Sequence, residues 1–552
     1  MRYPILIVFC AGAACAQSLP QILNEELQRN FTVLKQKGDP PPYFMAYEVT
    51  ESESQVITAT MGSIVANNKG HTRALDITVR VGSAKLDNYH VVGGQRPRFT
   101  PGTEIPLDDV PGAIRRSVWL ATDRTYRAAA RRLIEIRSNA QTRLGSEDKS
   151  DDFSSEQAAV HEEVPPRAKF SEEEWLPRLR KWSAELAKYD AALSSGVTFV
   201  VNRETKYIVN TEGTRLEFGR TFTALSFNAR GKAADGMDLI AADDMQSNDP
   251  AHLPGLDEID ARVNKVGQHL TALLKAPVVE PFVGPAIMSG GAAGVFFHEI
   301  FGHRIEGHRQ KDEAEGQTFT KSLNAPVLPN FLSVVFDATK KTWGPIDLNG
   351  YYEYDDEGVP ARPVTLVDNG VLKTFLMSRA PIQDFASSNG HGRREPGHEI
   401  VSRQSNLIVK SKKQVSDAQL RQMLIDEIKQ QNKPYGLYFA QVTGGFTTTQ
   451  RRGLQAFTVI PLMVYRVYAD GRPDELVRGV DIVGTPLASF GKIAATSDKT
   501  EVFNGYCGAE SGSVPVSATS PALLVTEIEI QKKDRGQETA PVLPRPTDGG
   551  GQ

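Results

Sequence analysis

The spacing of apolar residues predicts the helices of the chain. Between Leu19 and Leu34 apolar residues recur every three or four positions, which predicts a helix over residues 19–37. The same spacing predicts three more helices, over 112–137, 171–193 and 258–274. Ser171 and Glu174 form a capping-box pattern at the start of the third.

Alternating and β-branched segments predict the strands. Leu75 to Val81 alternates strictly between apolar and polar residues, as in a half-buried antiparallel strand. Residues 44–68 and 196–231 read as consecutive strands, and the second segment turns at Asn210 to Gly213. Short strands with turn signals are predicted beyond residue 310, and residues 513–532 are predicted to form a terminal strand pair.

This order of elements predicts a β-rich α+β fold of two domains that divide near Lys275. We assign residues 17–274 to an N-terminal domain, with a polar, flexible connection at about 138–170. Residues 275–534 form the C-terminal domain, and residues 535–552 are predicted to be a disordered tail.

Length and charge exclude some classes of function. The 552 residues are enough for two or more domains, and the net charge of −4 gives no global basic field for nucleic acid. We therefore expect no nucleic-acid partner.

The first sixteen residues resemble a secretory signal. Arg2 precedes an apolar run from Ile5, and Ala14-Cys15-Ala16 matches an A-x-A cleavage site. The alternatives are a membrane anchor or a lipoprotein signal, although Gly12 stands where a lipobox would have Leu. No later segment approaches the ~18 apolar residues of a membrane span. We expect cleavage near Ala16, a periplasmic or secreted protein, and no stable membrane span.

Cleavage would leave a single cysteine. Cys10 and Cys15 lie in the predicted signal, so Cys507 has no intramolecular disulfide partner in the mature chain. It could be a reactive thiol, an intermolecular bridge, a metal thiolate or a buried, inert side chain.

The most distinctive stretch is GVFFHEIFGHRIEGHR, from Gly294 to Arg309. His298 and His303 are five residues apart, so on a regular helix they would point about 140° away from each other. A π-type bulge or an early helix end would realign them, and Gly302 is the residue that best permits such a distortion. We therefore expect the motif to lie on a distorted helix.

Two imidazoles suggest zinc, which also needs a third protein ligand and a position open to water. Candidates for the third ligand are Cys507, His308 and Glu306. Glu299 could act as the general base toward a water molecule. Alternatively, the two histidines are satisfied residues at a helix end, and Glu299 is solvated.

These residues resemble the TldD/PmbA metallopeptidases, specifically the TldD-like members. The helix of that family carries H-E-x-x-x-H followed by Glu-Gly, here His298 to Gly307. A Cys-Gly stretch leads to a Pro-Val pair, here Cys507 to Val516. Other segments similar to the family are YDDEGVPARPVTLVDNGVLKTFLMSR, GLYFAQVTGG and NGHGRRE.

The resemblance implies one zinc ion per chain, held by His298, His303 and Cys507, with Glu299 as the catalytic base. It implies hydrolysis of unfolded or small peptides in a cavity closed by dimerisation, either with a second copy or with a metal-less paralogue. Peptide binding by strand addition would suit the β-rich second half.

The chain departs from the family pattern at His308, at Ala509 to Gly512, and in its signal peptide. These differences concern the substrate and the partner. Two other functions remain possible from the sequence: a non-catalytic, zinc-containing peptide-binding module and a zinc hydrolase of a non-peptide amide.

Overall fold

The structure is a computed structural model that describes residues 17–92, 94–140, 148–452, 457–484, 489–533 and 541. The predicted signal peptide lies outside the described residues, as does the predicted tail except Pro541. Residues 141–147 of the predicted flexible connection also lie outside them.

The described α-helices are α1 (Leu19–Lys37), α2 (Pro111–Ala140), α3 (Glu172–Ala187), α4 (Leu256–Lys275), α5 (Gly290–Ile300), α6 (His308–Lys311) and α7 (Asp417–Gln430). Short 3-10 turns occupy Pro250–His252, Gly302–Ile305 and Thr320–Ser322.

The strands of the first half are β1 (Pro42–Thr60), β2 (Ser63–Ser83), β3 (Leu86–Asp87), β4 (Thr103–Glu104), β5 (Val160–Glu162), β6 (Ser194–Asn210), β7 (Arg215–Lys232) and β8 (Asp238–Ser247). Those of the second half are β9 (Phe282–Met288), β10 (Leu332–Asp337), β11 (Thr342–Trp343), β12 (Ile346–Asp347), β13 (Pro363–Asp368), β14 (Val371–Leu372), β15 (Gly392–Arg393), β16 (Val401–Ser402), β17 (Asn406–Ser411), β18 (Gln414–Val415), β19 (Gly436–Thr447), β20 (Phe457–Val467), β21 (Glu475–Val477), β22 (Val480–Gly484), β23 (Ile493–Ala509) and β24 (Gly512–Lys532).

The first half is a long antiparallel sheet in the order β3-β2-β1-β6-β7-β5, with β4 paired to β2 and β8 to β7. Odd-numbered residues of β1 pack beneath helices: Tyr47 and Val49 share a core with α1 and α2, and Ile57 and Ala59 share one with α3 and α4. Because side chains alternate along a strand, the even-numbered residues such as Thr50 point the other way, toward the second half of the chain.

The second half is a twelve-stranded sheet in the order β14-β13-β10-β17-β24-β22-β20-β19-β9, with β18, β21 and β23 off this path. The central strand β24 pairs with β17, β22, β23 and β9. Helix α5 lies in the main core of this half and packs on β24 and β19. The predicted β-rich α+β class with two domains is therefore confirmed.

Three local predictions need correction. Residues 513–532 form one strand, β24, and its hairpin partner is the preceding strand β23. The sequence analysis also missed α7, which has a capping box at Ser416 and Gln419 and a buried stripe of Leu420, Leu424 and Ile428. Helix α3 ends at Ala187, six residues before its predicted end.

Parts of the predicted flexible connection belong to the fold. Helix α2 continues to Ala140, and β5 pairs in parallel with β7. Between them, Ser154 donates its backbone N–H to Arg379 O at 2.9 Å, and Arg379 Nε donates to Ser154 O at 3.1 Å. The polar composition gave no signal for β5 or for the contact at Ser154, because backbone groups make these contacts and Arg379 is distant in the sequence.

None of the described helices is both long enough and apolar enough to cross a bilayer.

Candidate metal centre

Small residues set the depth at which the motif helix is buried. Ser289 caps α5 by accepting a hydrogen bond from Ala292 N at 3.2 Å. A Cβ at Gly290 would lie 2.5 Å from Ser520 O, and one at Gly294 would lie 3.0 Å from Ala518 O. The helix can therefore approach the central strand β24 only because its first turns lack side chains.

The α-helix ends between the two histidines of the motif. α5 stops at Ile300, and the 3-10 turn Gly302–Ile305 follows. Arg304 Nη1 donates to Glu299 O at 3.0 Å and to Ile300 O at 3.2 Å, which satisfies carbonyl groups that the ended helix leaves free. The tighter turn brings the rings of His298 and His303 to a centroid distance of 5.1 Å.

Gly302 leaves space for the side chain of Gln404. A Cβ at this position would lie 1.9 Å from Gln404 Oε1. The amide of Gln404 approaches the helix end, with Nε2 at 3.3 Å from His298 O and 3.4 Å from His298 Nε2. A larger residue at 302 would displace a side chain that touches one of the two histidines.

The structure brings His298, His303 and Cys507 together, although more than two hundred residues separate the cysteine from the histidines. Cys507 Sγ lies 3.2 Å from His298 Nε2 and 3.3 Å from His303 Nε2. A tetrahedral zinc ion with bonds of about 2.0 Å to nitrogen and 2.3 Å to sulfur would separate these atoms by about 3.5 Å. The donor set therefore fits zinc in both chemistry and spacing.

The electrostatics of the cluster favour a thiolate. Burial by itself would raise the pKa of the Cys507 thiol, but His303 and His298 outweigh it and hold the pKa well below its ordinary value. Burial likewise opposes protonation of His303, yet Cys507 and Glu306 raise its pKa well above the ordinary value. A negative sulfur among positively charged neighbours is the state that a divalent cation would also stabilise.

Glu306, one of the alternative ligands, is placed behind His303. Its Oε2 lies 3.5 Å from His303 Nδ1, on the side of the ring opposite Cys507, and accepts from Arg309 Nε at 2.8 Å. Burial opposes its ionisation, but Arg309 and His303 lower its pKa to about 2. A carboxylate in this position fixes the tautomer and orientation of a metal-binding histidine.

His308, the other alternative, points elsewhere. Its Nε2 lies 2.5 Å from Glu510 Oε1, and it is not part of the cluster of His298, His303 and Cys507. Burial lowers the pKa of His308, and Arg96 adds to this effect.

The backbone of Cys507 is held by a fully buried arginine that sequence analysis missed. Arg403 Nη2 donates to Cys507 O at 2.5 Å, and Nη1 donates to Ser511 Oγ at 2.7 Å and Gly512 O at 2.9 Å. Its Nε lies 3.6 Å from Glu306 Oε1. Arg403 thus joins the β23–β24 hairpin to the carboxylate behind His303.

Glu299 lies beside the cluster, with Oε2 at 3.9 Å from His303 Nε2. Burial raises its pKa, while the neighbouring histidines oppose the shift. Gly445 on β19 makes room for it, because a Cβ at 445 would lie 2.7 Å from Glu299 Cγ. The sequence analysis took Gly444-Gly445 as a turn signal, but β19 continues through both residues, and the pair marks a close approach instead.

A cavity of about 610 Å³ opens onto these side chains. Phe446 and residues 447–450 form part of its wall, and Arg96 from the first half forms another part. Arg96 is held by Asp312 Oδ2 at 3.0 Å and by Glu510 Oε1 at 3.3 Å. Both halves of the chain therefore enclose the space above the cluster.

The chain is similar to known proteins in sequence and in fold. Residues 283–532 match the family model described as the PmbA/TldA metallopeptidase C-terminal domain. The C-terminal domain of the chain belongs to the TldD/PmbA family. A metalloprotease of Archaeoglobus fulgidus is 26% identical over 61% of this chain and 72% of its own length. The Haemophilus influenzae metalloprotease TldD homolog is 28% identical over 45% of this chain and 48% of its own length.

A solved structure extends the likeness beyond the matched domain. TldE from Thermococcus kodakarensis superposes with a TM-score of 0.60 over 91% of this chain and 100% of its own length, at 14% identity. Both halves of the chain thus have the fold of that structure. The Archaeoglobus fulgidus and Haemophilus influenzae relatives, which are similar to this chain in sequence, are named metalloproteases.

Proposed function

We propose that this TldD/PmbA protein is an exported zinc-dependent metallopeptidase that hydrolyses unfolded or small peptides. The observation that carries the proposal is the convergence of two imidazole nitrogens and one cysteine sulfur next to a buried carboxyl group at the base of a cavity. Three protein ligands with an adjacent open space are typical of catalytic rather than structural zinc.

When bound, zinc would polarise the peptide carbonyl and lower the pKa of a water molecule. His298, His303 and Cys507 would hold it, and Glu306 would keep the His303 ring in position. Glu299 would accept a proton from the attacking water and pass it to the leaving amine. The lack of a side chain at Gly445 leaves space for the side chain of Glu299.

The cavity supports the choice of substrate. Its walls come from the end of β19, from the β23–β24 hairpin and from Arg96 in the first half, and its volume of about 610 Å³ suits a few residues of a peptide. An extended peptide could enter along residues 445–450. Small or unfolded peptides are therefore the substrate class we propose.

Export and assembly complete the proposal. The signal-like N-terminus supports cleavage near Ala16 and a periplasmic or secreted protein. By the family resemblance we propose a dimer, formed either with a second copy or with a metal-less paralogue. The intact mass of the exported chain and the mass of the native assembly test these two points.

Glu299→Gln separates catalysis from binding. The variant keeps the size of the side chain but removes the base, so we expect normal metal content and at least a ~10²-fold loss of turnover on a peptide library. Glu529→Gln, which changes an exposed carboxylate on β24, is the matched control.

Two results would contradict the proposal. Wild-type turnover by Glu299→Gln would show that Glu299 is not the base, and loss of metal would show that it is a ligand. If the parent chain holds zinc but cleaves no peptide in the library, a binding module or a hydrolase of non-peptide amides replaces the proposal.

A further inference from the structure

A second cavity, of about 410 Å³, lies between the sheet of the first half and the second half of the chain. Its size is within the range of small-ligand sites. Aromatic rings form much of its wall, from Phe218, Phe222, Tyr352, Tyr354 and Tyr506. Such rings accommodate the apolar or aromatic side chain of a ligand.

Arg393 lines this cavity without a carboxylate partner. The residue is only 6% exposed, and its Nη1 donates to two neutral acceptors, Gln404 O at 2.7 Å and Pro515 O at 2.8 Å. Its guanidinium also lies 4.7 Å from the centroid of the Tyr352 ring. Burial lowers the pKa of Arg393. Tyr352 and Asp356 oppose this shift, and the charges of Arg403 and Arg220 add to it. A buried cation that forms no ion pair is costly, and a bound anion would reduce that cost.

Arg220 lines the same cavity and is also bound by neutral groups. Its Nη1 donates to Asn349 O at 2.7 Å, and its Nη2 donates to the side-chain oxygen of the same asparagine. Among the residues that the structure describes, no carboxylate forms an ion pair with either Arg220 or Arg393.

Most acidic residues of the cavity wall are already engaged. Asp356 pairs with Lys206 at 2.5 Å, and Glu353 pairs with His161 at 2.9 Å. Glu395 accepts a hydrogen bond from Ser513 N at 2.8 Å. Asp355 accepts backbone N–H groups of Val359 and Gly392, each at 2.9 Å, and burial holds its pKa well above the ordinary value.

Two acidic residues lie near the two arginines. Asp356 lies near Arg393, whose pKa it raises, and Glu204 lies opposite Arg220 in the β6–β7 ladder. Neither forms an ion pair with Arg220 or Arg393, whose printed hydrogen bonds all go to neutral acceptors. Both guanidinium groups can therefore donate to one carboxylate group that carries an apolar substituent.

The position of the cavity relates it to the metal centre. Arg393 is bound to Pro515, which pairs with Tyr506 across the β23–β24 hairpin. The next pair in that ladder is Cys507 with Val514. Tyr506 lines both cavities, so an extended chain of a few residues could reach from one to the other.

We propose that this second cavity binds the free C-terminal carboxylate of a peptide, with Arg393 and Arg220 as donors and the aromatic wall around the last side chain. This inference rests on the proposed peptidase function and adds a specificity: the preferred substrates are peptides cut within a few residues of their C-terminus.

Equilibrium binding tests the inference without turnover. The full chain carrying Glu299→Gln is titrated with an N-terminally labelled octapeptide that ends in Phe, as the free acid or as the amide. We expect the acid to bind at least ~10-fold more tightly, because hydrogen bonds to charged groups contribute on the order of that factor. A third peptide, ending in Glu amide, presents a side-chain carboxylate and should bind like the Phe amide.

Variants identify the donors. Arg220→Gln, at a half-buried position, should reduce the preference for the acid to about twofold or less and leave the affinity for the amide unchanged. Arg393→Gln should do the same, provided that its circular dichroism matches the parent. Arg230→Gln, an exposed position on the same strand as Arg220, should keep the full preference.

The inference is overturned if acid and amide bind equally, if neither binds, or if the Glu amide matches the acid. Cleavage by the parent chain is measured separately on the same peptides. A chain that binds the acid preferentially but cleaves nothing would contradict the peptidase function and retain the carboxylate site.

Discussion

Gly445→Ala tests whether the position of Glu299, and not only its charge, matters for activity. The added Cβ would lie 2.7 Å from Glu299 Cγ and 2.8 Å from Thr458 O. Carbon atoms in contact prefer about 3.5–4.0 Å, so Glu299 and β19 must separate by roughly 1 Å. None of His298, His303 and Cys507 is among the three atoms nearest the added methyl group.

A displacement of this size has a predictable cost. Misplacing a reacting group by about 1 Å can reduce the rate by ~10²-fold. The contact with Thr458 O also strains the pairing of β19 with β20, so the thermal stability of the variant is measured beside its turnover. We therefore expect turnover to fall on the order of 10²-fold with metal content unchanged.

The assay combines turnover of a fluorogenic peptide with elemental analysis of the same sample. Gly491→Ala is the control, since a Cβ there would have no neighbour within 4 Å and should leave both measurements unchanged. Wild-type turnover in Gly445→Ala would refute the claim that this glycine positions Glu299. Loss of metal would show that β19 supports the ligands themselves.

Two further predictions concern the ligands. Cys507→Ser should lower the metal content sharply, whereas His308→Ala should retain it. Elemental analysis after dialysis measures both. A full metal content in the serine variant would exclude Cys507 as a ligand. Glu306→Gln should weaken zinc binding by about 10–100-fold, because His303 loses the carboxylate that orients it, and competition with a chromophoric chelator measures this. An unchanged affinity in that variant would mean that packing alone orients the ring.

The sequence predicted the residues of the cluster better than the residues that hold them in position. His298, Glu299 and His303 share one motif, and the five-residue spacing required a helix break that the structure contains between Ile300 and Gly302. Cys507 was one of three candidates from the residues alone. Its lack of a disulfide partner favoured it, and the family resemblance implied it as a ligand. That these residues bind metal stays a prediction.

The residues that hold the cluster in position could not be predicted, because no sequence pattern marks them. Arg403, Gln404 and Arg304 act mainly on backbone carbonyl groups, which any residue could present at the other end of the bond. The β23–β24 hairpin was missed because residues 513–532 were predicted to form a strand pair of their own, whereas they lie in the single strand β24.

Hydrogen bonds from the segment Arg393 to Gln404 link the two cavities. Arg403 donates a hydrogen bond to the carbonyl of Cys507, and Arg393 donates one to the carbonyl of Pro515. Gln404 contacts His298. All three act on either the motif helix or the β23–β24 hairpin. Arg393 and Arg403 are buried, and each carries a charge that would be costly if its contacts were lost. A ligand that neutralises Arg393 would therefore stabilise the hairpin that presents Cys507, so occupation of the carboxylate site and the geometry of the metal centre should be thermodynamically coupled.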